Sequence, residues 1–142
     1  WRVAARTVTL GKPLPFMNES GVALARCGAS GNGELLVVCD DLNLPLGQLR
    51  LRSRGGSGGH KGLESIIEHL GTGDFARLRL GIGGAPPETD WVEFVLSEFA
   101  ADERETVDGM IEAAAEAIEL AVRRGFDEAA RHCNRRDDQC AS

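Results

Sequence analysis

The sequence predicts an α/β protein, on three observations. Leu35-Leu-Val-Val-Cys39 is a continuous apolar run of strand length, as a strand buried on both faces requires. Phe75-Ala-Arg-Leu-Arg-Leu-Gly-Ile82 alternates apolar with charged residues, the period of a second strand. Helical patterns lie between and after them, a short one over Leu63–Leu70 and a long one from Asp102. A chain of 142 residues that is 42% hydrophobic fits one domain, residues 1–142, with a core of its own.

In chain order, Arg6-Thr-Val-Thr-Leu10 reads as a strand already in progress, and Gly11-Lys-Pro-Leu-Pro15 as a turn. Asn18 or Ser20 can cap a helix whose apolar face includes Val22 and Leu24, and Gly28 with Ser30-Gly-Asn-Gly33 ends it. The apolar strand delivers Asp40-Asp41 at its C-terminal end, where α/β sheets bind ligands. Leu44-Pro-Leu-Gly47 turns the chain into a basic strand whose Arg50, Arg52 and Arg54 alternate and so share a face. A glycine-rich loop, Gly55 to Gly62, then opens the helix over Leu63–Leu70. The Phe75–Ile82 strand is expected to display Arg77 and Arg79 together, and Gly83-Gly-Ala-Pro-Pro87 closes it. From Asp102, with Glu105 as capping-box partner, Val107, Met110, Ile111, Ala114, Ile118, Ala121 and Val122 form one core stripe. Gly125 stops that helix, a short one follows from Asp127 to about Cys133, and residues 135–142 are expected to be a flexible polar tail.

The net charge is −6, but it is unevenly spread. Cations collect at Arg50, Arg52, Arg54, Lys61, Arg77 and Arg79, whereas carboxylates crowd from Glu88 to Glu119 with only Arg104 among them. A basic face on an acidic protein follows, which a whole-chain pI would hide and a local-patch criterion finds. Cys27, Cys39, Cys133 and Cys140 form no CxxC pair and no zinc spacing, so free thiols in a reducing compartment are expected. No apolar run approaches the roughly 20 residues of a membrane span, and the start lacks a signal-peptide pattern. A cytoplasmic or organelle-matrix setting is expected. The chain begins at Trp1 within a strand pattern, which reads as a fragment whose N-terminal segment is missing; unpaired sheet edges would then make it aggregation-prone.

The segment Arg50-Leu-Arg-Ser-Arg-Gly-Gly-Ser-Gly-Gly-His-Lys-Gly62 is suited to an anion: its glycines allow close backbone approach, and its arginines present forked donors to phosphate oxygens. The alternative is a solvated edge strand with a loop. Neighbouring Asp40 and Asp41 point to opposite faces, so only one is expected to face a site, orienting a histidine base or holding magnesium. A plain turn-forming role is the alternative. His60 is either a hydrogen-bonded loop residue or a base, while His69 and His132 fall on helical segments without convergent partners. The loop fits neither a Walker A site, which needs glycine at His60, nor a dinucleotide loop, which needs it at Lys61. Phe16-Met-Asn18 offers an amide beside an aromatic ring, able to bond a carbonyl and support a base or ribose.

In order, Lys12-Pro-Leu-Pro-Phe-Met-Asn-Glu-Ser-Gly21, Val37-Val-Cys-Asp-Asp-Leu-Asn-Leu-Pro-Leu-Gly47, Arg50-Leu-Arg52, Gly55 through Gly62 and Phe75-Ala-Arg-Leu-Arg-Leu-Gly-Ile-Gly83 resemble the bacterial-type peptidyl-tRNA hydrolases. The resemblance spans nearly the whole chain. It implies a single α/β domain with a mixed twisted sheet between helices, acting as a cytoplasmic monomer that cleaves the ester between peptide and tRNA. It implies peptidyl-tRNA as partner, no membrane, no cofactor and no metal. By resemblance, Asp40 orients a histidine base, Phe16 and Asn18 contact the peptidyl end, and Arg52 and Arg79 clamp the tRNA 5′ phosphate. His60 matches a glycine-loop histidine of the family and joins Lys61 as a substrate-binding position. The family's catalytic histidine, near an asparagine motif and a tyrosine, is expected ahead of Trp1.

Two positions depart from the family pattern. Lys61 stands where an asparagine is usual, and lysine donates hydrogen bonds without accepting them. Pro15 replaces the usual threonine, stiffening the approach to Phe16. The histidine expected ahead of Trp1, together with Lys61, leaves open a second reading, a noncatalytic RNA-binding relative that keeps the basic face. A magnesium-dependent nucleotide enzyme is disfavoured by the failed phosphate motifs.

Overall fold

The computed structural model describes residues 2–3, 6–14, 16–28 and 35–140, with side chains as far as Asn134. Pro15 and the Ser30–Gly33 cluster lie outside the described residues. The elements are β1 (Arg2–Val3), β2 (Arg6–Thr7), a 3₁₀ turn (Met17–Glu19), α1 (Ser20–Arg26), β3 (Leu36–Asp41), β4 (Leu49–Arg52), α2 (Lys61–Leu70), β5 (Ala76–Gly81), α3 (Trp91–Leu96), α4 (Arg104–Arg124) and α5 (Phe126–Cys140). The α/β expectation holds. β1 and β2 form a separate antiparallel pair, with Arg2 opposite Thr7 and Val3 opposite Arg6.

β3, β5 and β4 form a sheet in that order. The Ala76 N–H donates to Leu35 O and the Ile82 N–H to Asp41 O, both at 3.1 Å, so β3 and β5 advance together and are parallel. The Gly55 N–H donates to Gly73 O at 3.2 Å and the Gly81 N–H to Gln48 O at 2.7 Å, so β4 runs antiparallel to β5. The sheet is therefore mixed. By their internal contacts the residues divide into two compact units, Trp1–Val37 with Arg52–Arg77, and Val38–Leu51 with Leu78–Ser142.

The first unit buries Val3, Leu63, Ile66, Phe75 and Ala76. Here α1 lies on α2 through small residues rather than through the expected Val22 and Leu24. Ser20 and Gly21 are buried, the Gly21 N–H donates to Ser65 Oγ at 3.0 Å, and a Cβ at Gly21 would fall on the Ser65 carbonyl. The close crossing leaves Val22 at the surface. Neither Asn18 nor Ser20 caps α1: the capping position is Glu19, without a side-chain bond, and the Ser20 hydroxyl donates back to Met17 O at 2.7 Å. α2 ends where expected, at Gly71, whose φ of 69° is the left-handed conformation of a helix stop.

The second unit buries Leu44, Leu49, Leu51 and Leu78, with Met110, Ala114, Ala117 and Ala121 of α4 and Ala129 and Cys133 of α5. Each fully buried leucine contributes about 1.5–3 kcal/mol. The buried face of α4 is rotated from the expected stripe. Ala117 is inside and Ile111 is 54% exposed. At the start of α4, Glu103 Oε2 accepts the Ala100 N–H at 2.8 Å, a reach-back that lies ahead of the expected Asp102–Glu105 box. α5 extends to Cys140, beyond the expected end near Cys133. α3 was not anticipated; Asp90 Oδ1 caps it by accepting the Val92 N–H at 2.8 Å. Among the described residues, no helix is long and apolar enough to cross a membrane.

Candidate functional site

In the first unit, the glycine loop leads into the N-terminus of α2. Gly58 and Gly59 turn the chain with φ of 61° and 84°, which a side chain would strain. His60 then takes the capping position: its Nδ1 accepts the Leu63 N–H at 3.2 Å. That bond assigns the proton of the neutral ring to Nε2. His60 is thus a helix cap, and it is half-buried.

Lys61, the first residue of α2, is 60% exposed and paired at 3.1 Å with Glu64 one turn on. The Glu64 carboxylate also complements the helix dipole at this end. The 3₁₀ turn sits against the same helix start: a Cβ at Gly62 would strike Met17 Sδ at 2.6 Å and the His60 ring at 2.9 Å. The first unit therefore brings Phe16 and Asn18, which flank Met17, to the neighbourhood of His60 and Lys61. Phe16 is 83% exposed, and Asn18 is exposed beside it. Arg52 and Arg54 are also exposed, leading into the loop. Cations, an amide and an aromatic face around a helix N-terminus can receive an anionic polymer carrying flat or acyl groups.

Arg77 departs from the expected basic face. It is 1% exposed, and its guanidinium is spent on backbone carbonyls. Nη1 donates to Gly55 O at 2.6 Å and Gly56 O at 2.8 Å, while Nη2 donates to Gly73 O at 2.7 Å and Phe75 O at 3.0 Å. The group also lies 4.3 Å over the Phe75 ring. A planar donor fork suits this array of acceptors as a lysine would not. The alternation that put Arg77 on a displayed face says nothing about carbonyls gathered from loop residues, so burial was missed. The available signal was an arginine close in sequence to glycine-rich turns whose carbonyls a forked donor can gather.

The second unit holds Asp40, Asp41 and Arg79. The two aspartates separate as alternation requires. Asp41 is buried, with Oδ2 3.1 Å from Arg79 Nη1 and Oδ1 accepting the Asn43 N–H at 2.8 Å. It is thus both the turn-forming and the ion-paired carboxylate, and half-buried Asp40 is the other. Arg79 is 16% exposed, so it too is less displayed than expected. β4 shows the expected alternation, Leu49 and Leu51 buried and Arg50 and Arg52 exposed. Its edge is held by Asn134 of α5, which accepts the Leu51 N–H at 3.0 Å and donates to Leu51 O at 3.2 Å. Nothing in the local sequence marks Asn134 for this contact, whose partner lies 83 residues away. His69 and His132 are exposed. Among the described residues, no three His, Cys, Asp or Glu side chains gather as metal ligands.

Comparison with known proteins bears on the same residues. The profile of the peptidyl-tRNA hydrolase family matches residues 1–140. The peptidyl-tRNA hydrolase of Nocardia farcinica is 46% identical over 131 residues, covering 90% of this chain and 68% of the relative. That of Aquifex aeolicus is 40% identical over 139 residues, covering 96% of this chain and 72% of the relative. The crystal structure of peptidyl-tRNA hydrolase from Acinetobacter baumannii superposes with a TM-score of 0.74 at 30% identity, over 86% of this chain and 63% of that one. The chain thus spans about two thirds of the length of these proteins. A profile matched almost end to end, together with close relatives and a shared fold, shows that the chain belongs to the bacterial-type peptidyl-tRNA hydrolase family.

Proposed function

We propose that the protein hydrolyses the ester joining a peptide to tRNA, as a cytoplasmic monomer that returns tRNA to translation. The observation that carries this reading is the grouping of Phe16, Asn18, His60 and Lys61 at the N-terminus of α2. These are the positions at which the family motifs handle substrate, and three of them, Phe16, Asn18 and Lys61, are open to solvent.

The roles follow from what each group can do. Phe16 offers a ring face and Asn18 an amide to the peptidyl end near the scissile ester. Arg52 and Arg79 supply donors to the tRNA 5′ phosphate, Arg79 with its orientation set by Asp41. Lys61 adds a point charge at the helix N-terminus, where an asparagine would have both donated and accepted. His60 is committed through Nδ1 to capping α2 and serves to hold the loop. Asp40, at the end of β3, is the carboxylate that orients a histidine base and stabilises the imidazolium formed as water attacks the ester carbonyl.

The test is release of an N-acetylated amino acid from tRNA by the full-length gene product. Wild type is expected to turn over, and Asp40→Ala to lose ~10²-fold or more in rate with tRNA affinity retained. Turnover unchanged by Asp40→Ala would remove that residue's role. Tight tRNA binding by wild type without hydrolysis would replace the enzyme with a noncatalytic RNA-binding relative.

A further inference from the structure

The glycine loop is fastened at both ends by side chains. At its far end His60 caps α2 through the Leu63 N–H. At its near end Arg77 takes the carbonyls of Gly55 and Gly56 on one nitrogen and those of Gly73 and Phe75 on the other. Between these points lie Gly58 and Gly59, residues with much backbone freedom to lose on ordering. Other ties in this region are the Gly55 N–H to Gly73 O and the His60 N–H to Ser57 O, both at 3.2 Å, and Ser57 Oγ, which accepts the Gly59 N–H at 3.2 Å. The buried, planar guanidinium is the group that joins the start of the loop to the Gly73–Phe75 backbone through four carbonyls, and the loop leads directly into Lys61 and the first turn of α2.

We propose that Arg77 is a positioning residue for tRNA binding. It holds the glycine loop, and through it the N-terminus of α2, in the conformation that receives the substrate, and it makes no contact with tRNA itself. This inference rests on the peptidyl-tRNA hydrolase reading. Lysine cannot replace it, since one ammonium lacks the flat two-nitrogen fork that meets four carbonyls at once.

The experiment uses the full-length gene product, deacylated tRNA for binding and N-acetyl-aminoacyl-tRNA for kinetics, at temperatures where each variant is folded. In Arg77→Lys the competent loop conformation becomes a minor state, so Kd and KM are expected to rise about tenfold while kcat stays within about twofold. Because no phosphate contact is lost, the slope of log affinity against log salt is expected to stay at its wild-type value. Hydrogen exchange at residues 55–61, measured without tRNA, is expected to speed up. Phe75→Leu removes the ring beneath the guanidinium and is expected to shift Kd the same way by a smaller factor; it decides the matter if Arg77→Lys does not fold. Millimolar guanidinium, but not sodium chloride at equal ionic strength, is expected to restore affinity to Arg77→Ala.

Wild-type Kd and KM in folded Arg77→Lys, or in Phe75→Leu where the lysine variant is unfolded, would overturn the inference. A salt slope reduced by about one unit would also overturn it, by showing direct phosphate contact. Failure of the wild type to bind or hydrolyse either probe would overturn the hydrolase reading, and this inference with it.

Discussion

Arg77 and Arg79 stand two positions apart on β5, yet they anchor regions built on different principles. In the glycine-loop region the cation is buried and donates to four backbone carbonyls over the Phe75 ring. At the end of β3 the cation keeps some exposure and meets a carboxylate. The first arrangement shapes backbone that has no side chains of its own to pack. The second orients a charged group near a strand end, where ligands are met in α/β sheets. An arginine count over the sequence treats the two as one basic patch, whereas their acceptors differ in kind, backbone carbonyls for one and a carboxylate for the other.

Stability measurements can break this contrast, and the largest effect is expected at Arg77. Arg77→Met leaves several buried carbonyls without a donor and is expected to lose about 3–5 kcal/mol in urea unfolding. A loss below about 1 kcal/mol would mean that water or a relaxed loop satisfies those carbonyls as well. Arg79→Met strands the buried Asp41 carboxylate and is expected to lose about 2–3 kcal/mol. Unlike the Arg77 loss, this one is expected to be partly recovered in Asp41→Asn/Arg79→Met, because the removal is then mutual. No recovery in that cycle would show that Asp41 and Arg79 are not coupled.

Two smaller effects sharpen the comparison at β4. Asn134→Ala removes both bonds to the Leu51 backbone and is expected to lose about 1–2 kcal/mol, with faster amide exchange at Leu51. Unchanged exchange would mean that the strand edge does not depend on α5. Arg52→Gln is expected to change stability by less than about 0.5 kcal/mol, since the side chain is exposed. It should still lower the salt slope of tRNA binding by about 0.7–0.9, as one lost phosphate contact requires. An unchanged slope would take Arg52 out of the tRNA contact surface.

Much of this architecture was legible because it is local. The β3 run, the β4 alternation, the loop opening α2 and the Gly125 stop all follow from periodicity and backbone freedom. The separation of Asp40 from Asp41 follows from strand geometry. What escaped depends on partners distant in sequence. The buried face of α4 does not follow its largest side chains: Ile111 lies outside and Ala117 inside. α1 is docked through Gly21 because the Ser65 carbonyl comes close. α3, Trp-Val-Glu-Phe-Val-Leu, has the β-branched and aromatic content of a strand, and only its Asp90 cap marks it as a helix. Of the residues in the family motifs, Phe16, Asn18 and Lys61 lie at the surface, whereas the hydrogen bonds that hold His60 and Arg77 were not legible in the motifs.

The most direct measurement compares kcat/KM of the full-length gene product on N-acetyl-aminoacyl-tRNA with that on the same N-acetyl-aminoacyl ester of adenosine, at low and high salt. A peptidyl-tRNA hydrolase that grips tRNA through this basic face is expected to prefer the tRNA ester and to lose much of that preference as salt rises. Equal rates on the two esters at every salt concentration, or hydrolysis of neither, would contradict it.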